Sequence, residues 1–165
     1  KNGDFKDGRN YWNGESKLVT VNEAGEIVMK DGFPVLELKA MKSSFVSVDQ
    51  MIRLNYGMTK VIITVVAKAL PDFKSNKEGP GYSNFGRGWW QWSGLISPKT
   101  DFCIRLQDGW YYYKAVNFAP GNDWQTFTTT IGNLNSQTSK KLSLVLSHGE
   151  GNVLIRSVTL EESAN

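Results

Sequence analysis

Residues 86 to 94 read GRGWWQWSG, three tryptophans within four positions bracketed by glycines. Trp offers a large flat apolar surface with few rotatable bonds and a polar tip that can face water. Trp89, Trp90 and Trp92 sit beside Arg87 and Gln91, whose planar groups make fixed hydrogen bonds. Together they suit a molecule with apolar faces and a rim of hydroxyls, and a sugar ring is such a molecule. In an extended backbone Trp90 and Trp92 point one way and Trp89 and Gln91 the other. One pair can then hold a ligand while Trp89 anchors the segment. Cores seldom take polar-flanked Trp clusters, and exposed aromatic patches mark binding sites.

The stretch DFCIRLQDGWYYYKAV (101–116) carries the same mixture. Phe102, Ile104 and Leu106 share one face, read as core, and Cys103, Arg105 and Gln107 the opposite one. Across the Asp108-Gly109 turn, strict alternation puts Trp110, Tyr112 and Lys114 on one side and Tyr111 and Tyr113 on the other. Trp110 and Tyr112 join the stacking candidates, and Arg105 and Gln107 the hydrogen-bonding ones. Cys103, the single cysteine, reads as a small buried hydrophobe. Trp12 and Trp124 read as packing residues, Trp124 opening a strand.

A catalyst would need other groups. Glycoside hydrolysis by two carboxylates requires a spaced Asp/Glu pair, but the acids lie mostly in turns (Asp7, Glu23, Asp31, Asp108, Asp123, Glu150). The lone acids of LELK and SVDQ read as solvated faces. A lyase could draw on Tyr111 to Tyr113, Lys114, Arg105 and His148, yet His148 falls in SHGEGN, a hairpin-turn pattern. No metal spacing, phosphate loop or nucleophile elbow is present in the sequence.

The elements that must position these residues are strands. Short β-branched runs occur at 17–21, 26–30, 34–40, 44–54, 60–70, 101–107, 110–116, 124–131, 141–147 and 152–162. EAGE, KDGF, QDGW and SHGEGN supply glycines where tight turns need positive φ. About ten strands without crossover helices predict an all-β fold, an antiparallel β-sandwich of jelly-roll type. The segment 71–98, rich in Gly, Ser, Asn and Lys, is expected to be a long functional insertion centred on the Trp cluster.

At 165 residues the chain is expected to form one domain, 1–165, able to bury roughly 70% of the surface of its unfolded form without disulfides. Its net charge of +3 comes from 19 basic and 16 acidic residues without a basic run, against a nucleic-acid partner. The apolar run VIITVVAKAL falls short of the roughly 18 residues of a membrane helix, so no membrane partner is expected. The chain opens at Lys1 without a signal-peptide pattern, as a piece of a longer protein would.

The order of motifs resembles carbohydrate-binding modules of the family four, nine, sixteen and twenty-two group. NGDFKDGRNYWNG looks like that group's N-G-D-F-E-x-G…W opening. VDQMIRLNYGMTKVIITVVAKA resembles its Q-x-(I/L)-x-L-x-x-G-x-x-Y-x-(V/L)-x-x-x-A-(K/R) strand pair, and NDWQTFTTTIGNL its (E/D)-W-x-x-(F/Y)-x-x-x-F stretch. LSLVLSHGEGNVLIRSVTLEE resembles the closing hairpin with V-x-I-D-D-V-x-L, so the likeness runs from residue 2 to 162. The resemblance implies a non-catalytic, galactose-binding-like jelly roll that holds polysaccharide. Its partners would be a glycan and a parent glycan-active or surface protein, extracellular or at the cell surface. Gln50 matches the group's strand Gln and shares the Val46, Val48 and Ile52 face, either as a groove contact or as a buried hydrogen-bonded residue.

Many members of that group hold a structural calcium with acids that are replaced here by Lys6 and Arg156. A hard cation takes oxygen ligands, so the calcium site is expected to be lost or much altered, leaving no cofactor. The alternatives are a jelly-roll polysaccharide lyase or glycosidase domain, and a structural β-sandwich whose Trp cluster packs against another domain.

Overall fold

A computed structural model describes residues 3–41, 45–75, 102–108, 111–118, 121–147 and 149–164. Side chains at 45, 75, 103, 108, 111–118 and 147 fall outside that description. Every regular element among the described residues is a strand: β1 (Asn13–Gly14), β2 (Lys17–Val21), β3 (Phe33–Lys39), β4 (Phe45–Arg53), β5 (Lys60–Ala69), β6 (Lys74–Ser75), β7 (Phe102–Asp108), β8 (Tyr111–Phe118), β9 (Gln125–Ile131), β10 (Ser139–Ser147), β11 (Gly149–Glu150) and β12 (Asn152–Ser163).

They form two five-stranded antiparallel sheets, ordered β1-β4-β10-β7-β8 and β2-β3-β12-β5-β9, and a small β11-β6 ribbon. Period-two patterning sets the packing. In β5, Val61, Ile63, Val65, Ala67 and Ala69 are buried while the residues between them are partly exposed. The inward faces of both sheets meet in one core, where Val48 and Leu144 of the first sheet join Leu38, Ile63 and Ile155 of the second. Phe5 and Trp12, with ring centroids 5.9 Å apart, extend it at the N-terminal end. This is the jelly-roll β-sandwich expected from the sequence.

Two local expectations are corrected. Residues 26–30 form no strand: Ile27 makes a single bridge to Val21, and Met29 is exposed. The Asn22–Glu26 turn and the positive φ of Asp31 keep the stretch from pairing further. SHGEGN is not a hairpin turn either, because β10 and β12 belong to different sheets and the chain crosses between them there. His148 itself lies outside the described residues. Gly151, with φ +84°, takes part in that crossing, and a Cβ added there would sit 2.3 Å from the Asp72 carbonyl oxygen.

Candidate functional site

The first sheet has an outward face of unusual character. On β4 the outward residues are Ser47, Asp49, Met51 and Arg53, alternating with the core-facing Val46, Val48, Gln50 and Ile52. β10 turns Lys141, Ser143 and Val145 outward, and β7 turns Arg105 and Gln107 outward. Residues on the outward face of a sandwich are ordinarily solvated. Here Met51 and Arg53 are exposed, but Ser143 and Val145 are fully buried and Arg105 is only 4% exposed.

Register brings the polar members together. Asp49 lies directly across from Ser143, and Ser143 directly across from Arg105. With neighbouring strands about 4.8 Å apart, the row spans about 10 Å from carboxylate strand to guanidinium strand. The next row holds Met51, Lys141, Gln107 and, on β8, Tyr112. Lys141 Nζ is 3.8 Å from Asp49 Oδ2, a loose ion pair. Asp49 Oδ1 and Ser143 Oγ are buried and make no hydrogen bond among the described residues. A buried polar atom without a partner costs stability. Among the described side chains of these two rows, Asp49, Met51, Lys141 and Gln107 stay partly accessible.

The sequence-derived site residues divide into three groups. Arg105 and Gln107 stand on this outward face as expected, and Tyr112 occupies the register position opposite Gln107. Gln50 does not join them: it is 5% exposed and turned to the other side of β4. Arg87, Trp89, Trp90, Gln91, Trp92 and Trp110 lie outside the described residues. The β7–β8 hairpin forms, closing at Asp108 opposite Tyr111, but the register shifts between Leu106 and Gln107. Lys114 therefore stands opposite Leu106 and Tyr112 opposite Gln107, which breaks the simple alternation expected for β8.

Sequence reasoning missed Asp49 and Ser143. The signal for Asp49 was present in parity: if Val46, Val48 and Gln50 face the core, Asp49 faces out. Nothing in SLVL marks Ser143, whose place depends on pairing with strands far away in sequence.

The outward face of the second sheet is different. Val19, Val21, Val35 and Leu154 form a small apolar cluster, bordered by Phe33, Leu70 and Trp124. Arg156 lies 4.1 Å over the Phe33 ring and forks onto Glu23 with bonds of 2.8 and 3.1 Å. The indole N–H of Trp124 donates to the Glu23 carbonyl at 2.9 Å, so this tryptophan is an anchor, as read from the sequence. Lys6 sits 2.8 Å from Asp4 and, by hydrogen-bonding to it, holds that carboxyl below its ordinary range. The residues at 6 and 156 do not fit a calcium ion, since each brings a cation onto a neighbouring acid. Among the described residues no group of three or more acidic, His or Cys side chains could hold a metal.

No protein-family model matches the chain, and no curated protein matches it in sequence. Solved structures do match it in fold. A family 61 carbohydrate-binding module in complex with β-1,4-galactotriose superposes with a TM-score of 0.61 at 12% identity, over 99% of this chain and 97% of that one. A family 16 carbohydrate-binding module gives a TM-score of 0.61 at 14% identity, over 98% of both chains. The enzymatically active domain of tailspike protein 4 of bacteriophage CBA120 gives 0.63 at 11% identity, with 99% of this chain covering 21% of that one. At these identities the likeness defines the fold: a jelly roll of the type seen in carbohydrate-binding modules.

Proposed function

We propose that this chain is a non-catalytic carbohydrate-binding module that holds a polysaccharide or oligosaccharide across the outward face of the β1-β4-β10-β7-β8 sheet. One observation carries the reading: register sets Asp49, Met51, Lys141 and Gln107 in adjacent rows of one outward face, each of them partly accessible. A carboxylate, an ammonium and an amide there offer acceptor, donor and both to successive hydroxyls. Met51 adds apolar contact on the same face. The aromatic residues of 86–92, Trp110 and Tyr112 are assigned to stacking on the sugar rings, within an insertion at about 71–98 of a single domain spanning 1–165.

The fold supports this assignment, because structures of the same architecture bind β-1,4-galactotriose or are named as carbohydrate-binding modules. Two carboxylates are needed for the common routes of glycoside hydrolysis, and among the described side chains of β4, β10 and β7 this face has one, Asp49. The module would target a larger extracellular or cell-surface glycan-active protein to its substrate. Affinity electrophoresis against plant, algal and host polysaccharides, with tryptophan fluorescence alongside, tests the function. Retardation by one glycan class is expected. Retardation by none, or release of new reducing or unsaturated ends, contradicts it.

A further inference from the structure

The sandwich opens at one edge, where two strands lose their neighbours. β1 pairs with β4 only at Val48 and Asp49, and β3 pairs with β12 only from Asn152 to Ile155. Gln50–Arg53 of β4 and Val158–Glu162 of β12 therefore have no strand beside them on that side among the described residues. The N-terminal segment enters here, with Val158 N donating to Gly3 O at 2.8 Å, and winds through turns from Phe5 to Trp12.

A cavity of about 520 Å³ remains beside it. Packing voids hold a water or two, whereas cavities of some hundreds of cubic ångströms are of ligand size. Trp12, Ile52, Leu142 and Leu160 give it apolar walls, and Gln50, Arg53 and Glu162 give it polar ones. Gln50 is 5% exposed and forms part of the cavity wall. Glu162 Oε2 accepts from Asn55 N at 3.0 Å, which fixes the carboxylate.

Tyr11 also lines the cavity, and its backbone is strained. Its φ is +73°, a region that bulky side chains rarely adopt, yet the residue is 57% exposed. The Arg9–Trp12 turn, closed by Trp12 N donating to Arg9 O at 2.9 Å, puts Tyr11 at its third position, where a turn takes positive φ. The turn thereby holds the exposed ring beside the cavity.

We propose that this cavity is a second ligand site, which takes one pyranose unit such as the end of a glycan chain. The ring would lie against Tyr11, with its hydroxyls on Gln50, Arg53 and Glu162. A neutral polyol uses amide, guanidinium and carboxylate together, whereas an anion would meet Glu162 and a cation Arg53. The site lies at the sandwich edge and meets the outward face of β4 at Met51 and Arg53. It rests on the glycan reading for its ligand class alone.

The test titrates the whole chain with methyl β-galactoside, β-glucoside and β-xyloside, followed by proton–nitrogen NMR at the Gln50 side-chain amide. The companion variant is Tyr11→Gly. Glycine adopts positive φ without strain and so keeps the turn, and melting the variant beside the wild type separates a loss of binding from a loss of folding. Saturable movement of the Gln50 amide with at least one glycoside is expected, weakened about tenfold or more in Tyr11→Gly. No movement with any of the three, or equal affinity in Tyr11→Gly, overturns the proposal. The backbone amides of Ser143 and Arg105 report the outward face separately. Movement at Gln50 alone supports the cavity and counts against the face, while movement at Ser143 alone removes the cavity and leaves the face standing.

Discussion

Ser143→Ala should make the protein more stable and leave its affinity for glycan nearly unchanged. Ser143 is fully buried in β10, and its Oγ has no hydrogen-bond partner among the described residues. Burying an unsatisfied hydroxyl costs about 1–3 kcal/mol. Alanine deletes that hydroxyl, keeps the Cβ and opens almost no void. A gain of about 1 kcal/mol is expected, which for a chain of this size raises Tm by about 2–4 °C. The hydroxyl has no accessible surface, so it does not reach a bound glycan. Affinity should therefore change less than about twofold. Calorimetric melting of the two proteins, with and without a bound glycan, reads both effects, since ligand adds stability in proportion to its affinity. The variant should melt higher than the wild type alone and gain as much from ligand. A lower Tm in the free variant, or an affinity lowered about tenfold, refutes the reasoning about Ser143.

Other perturbations test the scaffold. Arg156→Ala should cost about 1 kcal/mol, mostly from lost stacking on Phe33, because the ion pair with the exposed Glu23 is worth little. Arg156→Lys should recover little, an ammonium lacking both plane and fork; thermal melts of the two variants at low and high salt check this. Lys140 is fully buried, and its ammonium donates to the Asn135 and Thr138 carbonyls and to Thr138 Oγ1. Lys140→Met keeps the apolar stem but strands those acceptors, and should destabilise by about 1–3 kcal/mol, with faster amide exchange in residues 132–138.

The sequence showed the long strands because each carries many turns of one signal. KVIITVVAKA alternates over ten residues, and β5 is buried and exposed in strict alternation. The two-residue strands β1, β6 and β11 were invisible because two residues have no period. EIVMK misled for the opposite reason: a short apolar run looks like a strand wherever it stands, and a turn with one bridge satisfies it. At the site, Arg105 and Gln107 were legible from the alternation of DFCIRLQ. Asp49 and Ser143 become neighbours only through the pairing of β4 with β10, nearly a hundred residues apart, and no local pattern encodes that register. The bulge in β8 was equally hidden, since YYYKAV looks the same with or without it.

The central claim is that glycan lies on the outward face of the first sheet. Proton–nitrogen NMR of the labelled chain with a retarded polysaccharide, or an oligosaccharide cut from it, tests this residue by residue. Shifts should cluster at Asp49, Lys141, Ser143, Arg105 and Gln107, which share that face, and spare Thr64, Thr128 and Thr159 on the outside of the second sheet. Shifts confined to the second sheet, or none with any glycan, would contradict the assignment.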